Sequence, residues 1–166
     1  IQRSRQARIA DLQVYFALSQ LEHRRPYKHL EPGLQRDLKA FFGDYAGAQT
    51  AARALLFGIA DVEAIALACR YAAERGLGWL EEGRSLQLHS SLVEQLPPLL
   101  RVYVGCAAVL YGDYRHADLV KIHIGSGKVS LMRYDDFVGQ PLPRMIERVK
   151  IKLREQDIDY FAYGEG

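Results

Sequence analysis

Hydrophobic positions along this chain change period once, near Gly112. Before that point they recur every three to four residues, the spacing of helices with one buried face. Ile9, Leu12, Tyr15 and Phe16 mark a first helix over 5–21, and Glu22-His-Arg-Arg-Pro26 closes it because proline cannot continue a helix. Leu34, Leu38, Phe41, Phe42 and Tyr45 form one stripe of a second helix that begins near Pro32, with Gly43 and Gly47 around its end. Ala48, Ala52, Leu55 and Leu56 make a third apolar face. Asp61 is placed to cap a fourth helix carrying Val62, Ile65, Cys69 and Ala72, and Gly76 is its natural stop.

Residues 77–89 hold the only Trp and a short alternating piece, Leu86-Gln-Leu88. Ser91-Leu-Val-Glu94 has the form of a capping box, and Pro98 suits the first turn of the helix that follows. From Leu99 to Tyr111 nearly every residue is apolar, and Gly112 ends the run. A helix apolar on all sides belongs at the centre of a core. After Gly112 the period falls to two. Leu119–Ile124 and Lys128–Tyr134 alternate on either side of Gly125-Ser-Gly127, which predicts a β-hairpin. Pro141–Glu147 is expected as a short helix, and Val149–Leu153 with Ile158–Tyr163 as a second strand pair. The expected fold class is α+β: a helical N-terminal lobe over 1–112 packed on a small antiparallel sheet over 113–166, as one compact unit.

Composition adds limits. With 166 residues, 49% of them apolar, the chain can build one core. Its net charge is +2, and up to residue 110 it carries 13 basic against 11 acidic side chains, then 9 against 9. Neither part has the dominant positive field of a strong duplex binder, so contact with nucleic acid would have to come from a local patch. Cys69 and Cys106 sit in apolar helical patterns without a Cys or His at metal-ligand spacing, which predicts two reduced core thiols in a cytoplasmic protein and no metal. No apolar run reaches the ~20 residues of a membrane span, so no membrane partner is expected. The Arg-rich start lacks the apolar stretch of a signal peptide. A first residue other than Met and a Gly-Glu-Gly ending are what a segment of a longer protein would show.

Several constellations invite chemistry. Gly125-Ser-Gly-Lys128 looks like the tail of a phosphate-binding loop, but Ile122 and Val129 stand where that motif needs Gly and Ser or Thr. Asp135 and Asp136, with Lys150 and Lys152 further on, suggest a metal-dependent nuclease or phosphodiesterase, in which paired acids hold Mg²⁺ and a lysine faces the phosphate. The acid that such a site places two residues before its Lys is missing: Glu147 lies three before Lys150. Arg24-Arg-Pro-Tyr-Lys-His29 has loose ribonuclease-like spacing and reads as a basic loop. Lys121 and His123 share a strand face, and Lys128 and Arg133 are expected to join them across the hairpin as a basic strand face for phosphate contact. Arg101 interrupts the apolar helix and must be paired if buried; Asp37 and Asp118 are the expected partners, an anionic ligand the alternative. No catalytic residue is assigned.

Leu96-Pro-Pro-Leu-Leu-Arg-Val-Tyr-Val-Gly-Cys-Ala, Ala117-Asp-Leu-Val-Lys-Ile-His, Leu34-Gln-Arg-Asp-Leu-Lys-Ala-Phe-Phe-Gly, Asp11-Leu-Gln-Val-Tyr-Phe-Ala-Leu and Tyr134-Asp-Asp-Phe137 together carry a resemblance. In the order of these blocks they resemble the C-terminal part of methyltransferase-type proteins associated with bacterial DNA phosphorothioation, over most of residues 8–140. Such proteins look like fusions of an S-adenosylmethionine-dependent region with the segment matched here. The resemblance implies an accessory domain of a DNA-modification protein, partnered by DNA or by proteins of that system, with any S-adenosylmethionine bound by a preceding region. This chain has no Gly-rich cofactor turn of its own. Two stretches depart from the family's pattern: Gly125-Ser-Gly127 replaces a longer basic linker, and Arg133-Tyr-Asp-Asp-Phe137 a Tyr-Pro-Asp-Phe type ending.

Overall fold

A computed structural model of the chain describes residues 2–21, 31–135, 137–139, 141–153 and 157–163. Five α-helices lie at α1 (Gln2–Leu21), α2 (Pro32–Phe42), α3 (Tyr45–Gly58), α4 (Val62–Glu74) and α5 (Pro98–Tyr111). Six strands, β1 (Trp79–Glu81), β2 (Ser85–His89), β3 (Leu119–His123), β4 (Lys128–Asp135), β5 (Arg144–Lys152) and β6 (Asp157–Ala162), form one sheet in chain order. Every neighbouring pair is antiparallel, so the α+β class holds.

Local signals account for several boundaries. The Asp61 carboxylate accepts from the Glu63 and Ala64 amides, satisfying donors that a helix start leaves open. Gly76 follows α4 with φ 76°, a left-handed conformation that costs glycine little. Gly43 (φ 82°) ends α2, and Asp44 then caps α3 through the Gly47 amide at 2.7 Å.

The all-apolar α5 lies between two buried clusters. Leu100, Tyr103, Val104 and Ala107 pack with α4 and with Leu86, Val120, Ile122, Val129, Leu131 and Ile151 of the sheet. Val102 and Cys106 point the other way, into a cluster with Leu12, Phe16, Leu38, Ala48 and Ala52 of α1, α2 and α3. Two apolar neighbours explain an apolar circumference. A Cβ on Gly105 would stand 2.6 Å from Leu18 Cδ2, so glycine at that position is what lets α1 approach α5 this closely. The sheet side carries one polar anchor, where Tyr103 donates its hydroxyl to the His123 carbonyl at 3.0 Å.

The structure differs from the sequence expectations in four places. Residues 79–89 pair into the sheet as β1 and β2, so the sheet begins well before the boundary expected at 112. The stretch expected as a helix at 141–147 enters β5 at Arg144, because β4 extends far enough to pair with Arg144, Met145 and Glu147. Ser91 does not cap a helix. His89 instead accepts from the Ser91 amide and opens a 3-10 turn over Ser90–Gln95. Val109, in the last turn of α5, is 42% exposed, since the flanking layers do not reach that end.

Candidate functional site

Strand alternation sends Val120, Ile122, Val129, Leu131, Val149 and Ile151 toward the helices. The intervening positions form the opposite face. There stand Lys121 and His123 of β3, Lys128 of β4, and Arg148, Lys150 and Lys152 of β5. Register arranges them in rows. His123 lies directly opposite Lys128, and Lys128 opposite Lys152. In the next row Ser130 separates Lys121 from Lys150, and in the third Arg148 lies beside Met132.

Like charges directly opposite one another destabilise a sheet. Burial and this crowding both shift the protonation of the face. Burial first, then the cations Lys121, Lys150, Arg148 and Lys128, presses the His123 pKa from 6.5 to about 4. His123 is therefore neutral at neutral pH, and its Nε2 shares a 2.8 Å hydrogen bond with Ser130 Oγ. Burial also lowers Lys150, helped by Arg148 and Lys128 and opposed by Asp159. Lys152 is held by Asp159 at 2.9 Å, and this hydrogen bond keeps the Asp159 carboxyl below its ordinary value. Among the described residues, Lys121, Lys128, Arg148 and Lys150 make no ion pair. The Arg148 Nε is buried and, among the described residues, without a hydrogen-bond partner. A buried donor left open in this way carries a real cost.

Of the four residues expected to form a basic strand face, Lys121, His123 and Lys128 come together and Arg133 does not. Arg133 is five residues from Lys128, so strand parity turns it to the helix side. There it pairs with Glu147 at 2.9 Å in a cavity of about 400 Å³ lined also by Tyr111, Asp113 and His116. Burial and Glu147 raise the Tyr111 pKa. Arg101 is paired, but with Asp11 of α1 at 2.7 Å. Asp37 is occupied by Arg8, and the Asp118 carboxylate accepts from the Tyr134 amide.

The nuclease constellation is not assembled among the described residues. Asp135 pairs in register with Arg144, six residues along β5 from Lys150, or roughly 20 Å at strand rise. Asp136 and the Arg24–His29 loop lie outside the described residues. No group of three or more His, Cys, Asp and Glu able to hold a metal is found among the described residues. None of the helices searched there is long and apolar enough to cross a membrane.

Sequence reasoning missed Arg148, Lys150 and Lys152 as members of the basic face. Their signal was present in the alternation Arg148-Val-Lys-Ile-Lys152, which places three cations on one side of a strand. What it could not supply was the neighbour: only the pairing of β5 with β4 brings this run beside Lys128. Comparison with protein-family models, curated proteins and solved structures gives no match to this chain.

Proposed function

We propose that this is a non-catalytic, nucleic-acid-binding accessory domain that holds phosphates on the outer face of its sheet. One observation carries the proposal. Among the described residues, four cations without ion pairs, Lys121, Lys128, Arg148 and Lys150, gather with His123 on one face and repel one another, with Asp159 as the acid opposite Lys150. The fold gains nothing from that repulsion. A polyanion converts it into attraction and releases its own counterions on binding. The chain's net charge of only +2 makes this a localised patch, suited to modest affinity. The sequence resemblance to phosphorothioation-associated methyltransferase-type proteins supports DNA modification as the setting. In that setting methyl transfer belongs to a different region, and this domain engages the nucleic acid.

The test is fluorescence anisotropy with labelled oligonucleotides across a salt series. Each phosphate neutralised contributes a slope of ~0.9 in log affinity against log salt for duplex DNA, or ~0.7 for single strands. Lys121→Glu with Lys150→Glu should weaken binding and flatten the slope, while Arg133→Ala, on the opposite face, should leave both unchanged. Binding that ignores salt, or that survives the double substitution, would sink the proposal.

A further inference from the structure

The Lys121 row ends, on the β1 side, at Trp79, and the His123 row ends at Glu81. Trp79 is the only Trp in the chain and is 79% exposed. It lies opposite Gln87 on β2, which lies opposite Lys121 on β3, so the three side chains share one face and one row. Together with Glu81 and Ser85 they line a hollow of about 310 Å³. At the usual strand spacing Trp79 and Lys121 stand ~10 Å apart, and Lys150 a further ~10 Å along. Among the described residues no aromatic ring or guanidinium covers the indole.

Resting on the nucleic-acid reading, we infer that the ligand is single-stranded nucleic acid, with one base stacked on Trp79 and its backbone running across Lys121 toward Lys150. A duplex keeps its base faces stacked inside the helix, so it could use the cations but not the indole. A single strand uses both, and an aromatic platform beside a cationic track is the general solution for binding unpaired strands. The Gln87 amide, between ring and lysine, carries donors and an acceptor for a base edge. Placing the ring here has a local cause. Gly78 enters β1 at φ 155°, and a Cβ there would meet the Gln87 carbonyl oxygen at 2.8 Å, so the backbone carrying Trp79 lies close against β2.

The sole Trp supplies its own probe. The full chain is titrated with a short oligothymidylate, with the same strand made abasic, and with a duplex, following intrinsic fluorescence and anisotropy. Only the oligothymidylate should quench the Trp79 emission strongly. Trp79→Ala should weaken oligothymidylate binding about 5- to 150-fold, the range set by loss of one stacked base. Its affinity for the abasic strand and its salt slope should not change, and Trp79→Phe should recover most of the loss. The thermal midpoint should stay near the parent's, since the side chain is mostly in solvent. Oligothymidylate binding unaffected by Trp79→Ala but lost in Lys121→Glu/Lys150→Glu would overturn the stacking inference and leave the nucleic-acid reading standing. An equal loss for duplex and single strand would overturn it as well. Absence of binding to any of the three ligands would remove both readings.

Discussion

Arg101 and Asp11, 90 residues apart in the chain, meet at 2.7 Å where α5 crosses α1, with the arginine side chain 18% exposed and the aspartate 53%. The two ends of this ion pair are not equivalent. Removing Asp11 leaves a largely buried guanidinium without its acceptor, whereas removing Arg101 leaves a carboxylate that water can reach. Asp11→Ala should therefore cost about 1–3 kcal/mol and Arg101→Met under ~1 kcal/mol. Denaturant unfolding of both variants checks the order; a larger loss for Arg101→Met would mean that the pair's value lies in packing.

Val102 and Val109 lie on one helix and should respond to the same change by very different amounts. Val102 is fully buried between α5 and the helical cluster, so Val102→Asp should prevent soluble folding at a cost of several kcal/mol. Val109→Asp should shift stability by about 0.5 kcal/mol or less, as an exposed substitution does. Soluble yield of Val102→Asp and a circular dichroism melt of Val109→Asp against the parent decide it.

His123 predicts a specific pH dependence. Its folded pKa of about 4 lies below its ordinary 6.5, so between those values the unfolded chain takes up a proton that the folded chain refuses. Stability should fall as pH drops from about 6.5 to about 4 and should not depend on this residue above that window. Asp159, lowered by its hydrogen bond to Lys152, contributes to acid loss only below its ordinary 3.8. His123→Gln, which can keep a hydrogen bond to Ser130, should flatten the decline between pH 6.5 and 4 in chemical denaturation. An unchanged pH profile would show that burial and the neighbouring cations do not hold the ring neutral in this window.

Burial pushes the thiol pKa of Cys69 up to about 12 and of Cys106 up to about 11. Neither forms thiolate near neutral pH, and both lie in the core. Labelling with a thiol reagent should be slow in buffer and become fast for both residues together when denaturant unfolds the chain. Fast labelling of one cysteine under native conditions would reveal local opening around α4 or α5.

If lysines and arginine contact phosphates directly, no bridging ion is needed. Chelation of divalent cations should leave oligonucleotide affinity unchanged at constant ionic strength, and Mg²⁺ or Mn²⁺ should produce no cleavage. Metal-dependent cleavage lost in Asp136→Asn would instead restore the phosphodiesterase reading built on Asp135 and Asp136.

The pattern of side chains alone determined the class of the fold, the central place of α5, the Asp61 cap and the β3–β4 hairpin that sets His123 opposite Lys128. These features are local. A helix with no polar side has to be covered on every side, and a short alternating pair around a glycine turn fixes its own register. Parity within β4 also contained the separation of Lys128 from Arg133, although an expectation of one basic face passed over it. Tertiary structure decided the rest. The short β1 and β2 gain their strand character from pairing beside β3, and 144–147 extends β5 because β4 offers it partners. Arg101 had several acids within the range of plausible pairing, and helix packing chose Asp11. The basic face formed because β5 was laid next to β4, bringing Arg148, Lys150 and Lys152 to Lys128. Burying apolar area across the whole core is worth far more than any surface charge pair, so packing sets which strands meet and the charges go where it carries them.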